Sequence, residues 1–157
     1  AMLMTYDDLL NKGSIRPSRP TRREIAGMLG TGHVRIRHIR ASSPEPDVCY
    51  ELAYDVARAA AQAVMATEGY RPAGASHHEA IFEFLRRVED GRWACEAEFF
   101  DQARSTRRLC VYDQNGAISA AEADGLLSVA VRFFEEVNEW IGERSSDSRP
   151  SSDESSR

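Results

Sequence analysis

A chain of 157 residues, 42% hydrophobic and 29% charged, has the composition of one globular domain with room for a core. That balance excludes a wholly disordered chain, and no run approaches the roughly 20 apolar residues of a membrane span. The net charge of −5 argues against a general nucleic-acid coat. The charge is unevenly spread, however. Residues 1–40 carry eight basic and three acidic side chains, a local +5, which leaves −10 for the remainder. Arg16, Arg19, Arg22, Arg23, Arg35, Arg37 and Arg40 lie in this basic stretch. It is either a solvated arm balanced by acidic helices or a face that meets phosphate.

The opening "AMLMTYDDLL" has no basic n-region and no long apolar run, so no signal peptide is expected, and Ala1 before Met2 resembles a cloning scar. A first short helix is expected from a Thr5…Asp8 capping box, in which a hydroxyl and a carboxylate three residues apart satisfy free first-turn amides. The same device, Thr21…Glu24, opens a second helix over 21–41 with Ile25, Met28, Leu29, Ile36 and Ile39 on one stripe. Gly27, Gly30 and Gly32 weaken that helix and are expected to kink or break it.

In "SSPEPD", Ser43 is expected to cap a third helix over 45–68, with Pro44 in its first turn. Its stripe is Val48, Leu52, Val56, Ala60 and Ala63, and the small residues permit a close neighbour. "EGYRPAG" reads as a loop. Ser76…Glu79 opens a fourth helix over 77–89 with Ile81, Leu85 and Val88 inward. The fifth, 93–112, carries Trp93, Phe99, Phe100, Ala103 and Cys110. After "DQNG", Ser119…Glu122 starts the sixth, 119–142. Leu126, Leu127, Ala130, Phe133, Phe134, Val137, Trp140 and Ile141 form its stripe, the clearest in the chain.

No segment alternates with period two, so no strands are expected. The fold class is all-α: an up-and-down four-helix bundle with an extra short N-terminal helix. Residues 1–20 form a basic arm with that short helix, 21–142 the bundle, and the Ser-rich 143–157 a disordered tail. Cys49, Cys95 and Cys110 lack metal-ligand spacing, and reduced thiols in a cytoplasmic protein are expected, with Cys95 and Cys110 on apolar faces.

Chemistry-bearing residues are few. His77 and His78 are adjacent on a helix, where side chains point about 100° apart, whereas a helical metal pair needs spacing of three or four. One ring is expected to pack beside Ile81 and bond to the preceding loop, and no metal or cofactor is implied. Glu51, Asp55, Arg58 and Gln62 share one face of the third helix, either an exposed stripe with a local Asp55–Arg58 pair or the wall of a cleft.

The fifth helix is more telling. Arg107 lies seven residues after Phe100 and four after Ala103, on the apolar face, where an unpaired guanidinium is costly. It either snorkels to the rim and pairs with an acid, or lines a polar groove. Arg104, Arg108 and Tyr112 make a neighbouring stripe at spacings of four, with Asp113 following. A phosphate, or a carboxylate of another helix, would satisfy such a groove.

Two stretches resemble the HEPN family of small helical bundles in prokaryotes and higher eukaryotes. They are "CYELAYDVARAAAQAVMATEGYRPAGASHHEAIFEFL" and "RRLCVYDQNGAISAAEADGLLSVAVRFFEEVNEWI", within residues 21–142. The resemblance implies an up-and-down bundle that forms a homodimer. Many members are metal-independent ribonucleases, some acting as toxins with a nucleotidyltransferase-like antitoxin. Their motif is an Arg followed four to six residues later by a His. Arg107 or Arg108 matches the Arg, but Tyr112, Asp113, Gln114 and Asn115 stand where the His would be. Without an imidazole there, nothing titrates near neutral pH. The resemblance therefore implies a non-catalytic binding or assembly module for RNA, a nucleotide or a partner protein through Arg104, Arg107, Arg108, Tyr112 and Asp113. Asp55, Arg58 and His78 are secondary candidates. The alternative is a divergent ribonuclease in which Arg107 holds the phosphate and Tyr112 or His78 assists.

Overall fold

The computed structural model describes residues 6–112 and 118–147, and the side chains of 108–112 and 146–147 lie outside the description. Among the described residues the domain is all-α, with six helices. They are α1 (Asp7–Asn11), α2 (Arg22–Ser42), α3 (Pro46–Thr67), α4 (His77–Leu85), α5 (Ala94–Tyr112) and α6 (Ala120–Asp147). None is long and apolar enough to cross a membrane.

α3 is the axis of the fold. It packs against α2, α6, α4 and α5, and is buried around much of its circumference. Its alanines explain how. Ala53, Ala57, Ala60, Ala61 and Ala63 are buried, and their small side chains let neighbouring helices approach closely. Beyond them lie Phe82, Phe84 and Leu85 of α4, Ala97 and Phe100 of α5, and Leu126, Phe133, Phe134 and Val137 of α6. Burying each large apolar side chain contributes about 1.5–3 kcal/mol, which outweighs helix propensity in fixing this arrangement. Val48 near the start of α3 and Phe99 of α5, both expected inward, are instead exposed.

Helix ends follow the sequence unevenly. The capping box at α2 has both bonds, Thr21 Oγ1 to the Glu24 amide at 3.1 Å and the Glu24 carboxylate to the Thr21 amide at 2.6 Å. Ser119 likewise accepts from the Glu122 amide at 3.1 Å. Ser76 holds the cap position of α4 without a side-chain cap bond. α1 begins at Asp7 with Tyr6 before it, and Thr5 lies outside the described residues.

Ser43 does not open α3. It closes α2 in the left-handed region at φ 43°, its amide donating to Ile39 O, and Pro46 rather than Pro44 takes the first turn of α3. α2 is nonetheless one helix, not broken at its glycines. Gly32 is required there, because a Cβ would collide with the Phe134 ring of α6. Gly27 and Gly30 face open space.

Two short strands were not anticipated. β1 (Ile15–Pro17) pairs antiparallel with β2 (Tyr70–Pro72), in the register Ile15↔Pro72, Arg16↔Arg71, Pro17↔Tyr70. Three-residue strands carrying proline are too short for a period-two pattern and suit a pairing with free outer edges. Leu9 and Ile15 are buried in the common core, so the N-terminal segment packs on the helices. α4 ends at Leu85, and a 3-10 turn (Val88–Asp90) follows, with Glu89 and Asp90 at φ 45° and 55°. α6 continues to Asp147, past the expected end at 142, and residues 148–157 lie outside the described part.

Candidate functional site

The helix arrangement brings three remote parts of the sequence together. α3 presents Glu51, Tyr54, Asp55 and Arg58, whose spacings of three and four place them along neighbouring lines of one face. α4 begins immediately beside it, and His78, its second residue, meets Tyr54. The phenolic oxygen and His78 Nδ1 are 2.9 Å apart. From α5, Arg107 lays its guanidinium over the Tyr54 ring, with Cζ 4.9 Å from the centroid. Such a contact is worth about 0.5–1 kcal/mol at exposed sites and more when desolvated.

Charge in this cluster is loosely compensated. Arg107 Nε lies 3.6 Å from Glu51 Oε1. Asp55 is shared by Arg58 at 3.9 Å and by Arg35 of α2 at 3.8 Å. These separations allow Coulomb attraction but exceed hydrogen-bond reach. Consistently, the Nε atoms of Arg35, Arg58 and Arg107 are buried without a hydrogen-bond partner among the described residues. Arg104 differs, donating to Asp101 at 3.1 Å on its own helix. Among the described side chains, four guanidinium groups thus meet three carboxylates.

The surroundings set the protonation of the Tyr54–His78 pair. Burial pushes the Tyr54 hydroxyl up to about 12, only partly opposed by Arg107, Arg104 and Arg58. Tyr54 therefore keeps its proton at neutral pH. Burial lowers the His78 imidazole below its ordinary value, and Arg58, Arg107 and Arg104 lower it further, against Asp55. Both effects disfavour the charged ring. With the ring neutral, the Tyr54 hydroxyl and His78 Nδ1 share one hydrogen bond whose direction is set by the His78 tautomer.

Arg107 is thus turned inward, with a carboxylate from another helix beside it. Arg58, Asp55 and Arg104 act on the same Tyr54–His78 pair, so two of the primary candidates, Arg104 and Arg107, lie near the secondary ones. The side chains of Arg108 and Tyr112, and all of Asp113, lie outside the described residues. One ring of the His77–His78 pair is expected to bond to the preceding loop, and among the described residues the His78 ring bonds to Tyr54 instead. It reaches across to α3 because Tyr54 offers a buried hydroxyl. Tyr54 itself was missed, although its position three residues after Glu51 and four before Arg58 marked the same face.

Cys49 is buried, and burial together with Asp124 raises its thiol. Cys95 is exposed rather than on an apolar face, and the Cys110 side chain is outside the description. Among the described residues, no group of three or more His, Cys, Asp or Glu could hold a metal ion. No family model, curated protein or solved structure matches the chain.

Proposed function

We propose that the protein is a non-catalytic binding module that takes a phosphate-bearing ligand, RNA or a nucleotide, on the Arg58–Arg104–Arg107 cluster. The observation that carries this reading is the convergence of arginines from α3 and α5 on one Tyr–His pair, with the ion pairs of Arg58 and Arg107 too long to be hydrogen bonds. Partly exposed guanidinium groups whose ion pairs are too long to be hydrogen bonds match the charge of phosphate oxygens. In this reading the long helices form an up-and-down HEPN-like bundle with a short N-terminal helix, and the protein works as a cytoplasmic homodimer.

Calorimetry and gel shifts with nucleotides and RNA test the ligand. Binding to the wild type that is lost in Arg107→Ala supports it, and no binding, or binding unchanged in Arg107→Ala, overturns it.

One observation favours a second reading, a divergent metal-independent ribonuclease of toxin–antitoxin type with a nucleotidyltransferase-like partner. His78 supplies, from α4, an imidazole close to the arginines that the α5 sequence lacks. Toxicity on expression that Arg107→Ala abolishes would support this reading. RNA left intact after long incubation with the clean protein would refute it.

A further inference from the structure

We propose that a phosphate ester seated on Arg58 and Arg107 binds together with a proton that His78 takes up, so that this site couples anion binding to pH. The inference rests on the binding reading above and adds how the site is regulated.

The geometry behind it is specific. His78 is held by Tyr54 through Nδ1 at 2.9 Å, while Nε2 has no partner among the described residues. The charged groups acting on the ring come from both helices that flank it, Asp55 and Arg58 from α3 and Arg104 and Arg107 from α5. Three of these four are cationic, and with burial they keep the ring neutral in the empty site. A phosphate among the same arginines cancels part of their field and adds a negative charge beside the imidazole. Both changes favour imidazolium.

The proton balance is simple. The neutral ring gains one proton from solvent, and no bond in the ligand forms or breaks. In the charged ring both nitrogens donate. Nδ1–H then donates to the Tyr54 oxygen, a bond the 2.9 Å separation accommodates. Tyr54 is fully buried, so it makes no contact with the ligand, and the coupling is carried by charge at His78 and the arginines. By linkage, whatever raises proton affinity on binding also raises ligand affinity as pH falls.

The test is calorimetry on the full chain at about pH 6.5, in buffers of differing ionisation enthalpy, where an imidazole is poised to titrate. One probe is an oligouridine without terminal phosphates, whose diester groups do not titrate in this range. The other is uridine 5′-monophosphate, which reports whether a free nucleotide rather than a strand is the source of the phosphate. For oligouridine, the wild type is expected to take up a measurable fraction of a proton per site, and its affinity to fall as pH is raised toward about 7.5.

His78→Gln is expected to bind without proton uptake. In the wild type, the His78 ring resonances followed by NMR should show its titration moving upward when ligand is added, a readout independent of any variant's folding. Binding without a buffer-dependent enthalpy, or proton uptake retained in His78→Gln, overturns the coupling and leaves the binding reading standing. If neither probe binds, both are overturned.

Discussion

The Tyr54 hydroxyl and His78 Nδ1 sit 2.9 Å apart across α3 and α4, and Arg107 of α5 covers the Tyr54 ring from above. One fully buried phenol thus ties together the three helices that carry the cationic cluster. Tyr54→Phe keeps the ring and removes the bond. It should destabilise the fold by about 0.5–1.5 kcal/mol in denaturant unfolding, the usual net worth of a hydrogen bond. Tyr54→Ala also opens a cavity under Arg107 and should cost about 3–5 kcal/mol.

His78 should titrate below its ordinary value of 6.5 in the folded, ligand-free protein, because burial, Arg58 and Arg107 all disfavour the charged ring. Arg58→Ala or Arg107→Ala should therefore raise it, measured by NMR pH titration. The unfolded chain accepts this proton at a higher pH than the folded one, so the contribution to stability is intact above 6.5 and is lost as pH falls from there toward the lowered folded value. His78→Gln should remove that part of the pH dependence of unfolding.

Glycines in α2 should respond oppositely to the same change. Gly27→Ala and Gly30→Ala add a methyl group to open space and improve helix propensity, so each should stabilise by about 0.8–1 kcal/mol. Gly32→Ala drives its Cβ into the Phe134 ring and should destabilise. Thermal unfolding of the three variants should split them by sign.

At the far end of the helices, Trp140 Nε1 donates to Glu89 at 2.9 Å, and Trp93 Nε1 donates to Glu136 at 3.1 Å. The Trp140 bond holds the Glu89 carboxyl below its ordinary value, with Arg92 assisting. This contribution is present above the unfolded carboxyl value and is lost as pH falls through the lower folded one. Glu89→Gln keeps an acceptor for Trp140 and loses a carboxylate that is 43% exposed, so it should lower stability only slightly near neutrality and flatten the acid limb of the unfolding curve.

Much of the helix pattern was legible because its cause is local. The Thr21…Glu24 and Ser119…Glu122 caps and the α6 stripe involve residues three or four apart. What was not legible depends on remote partners. Ser43 reads locally as the cap of α3, yet it closes α2 in the left-handed region. The β1–β2 pair joins Ile15 to Pro72, which no local periodicity reveals. The spacing of Arg107 from Phe100 showed an inward arginine but not its neighbours. One ring of the His77–His78 pair reads as loop-bound, whereas the partner of His78, Tyr54, lies 24 positions away on another helix.

Binding of oligouridine to the wild type and to Arg107→Ala, measured side by side by calorimetry at low and moderate salt, tests the phosphate site most directly. Tight, salt-sensitive binding by the wild type, lost in a folded Arg107→Ala, is the expected result. Equal binding by both proteins, or none by the wild type, would contradict it.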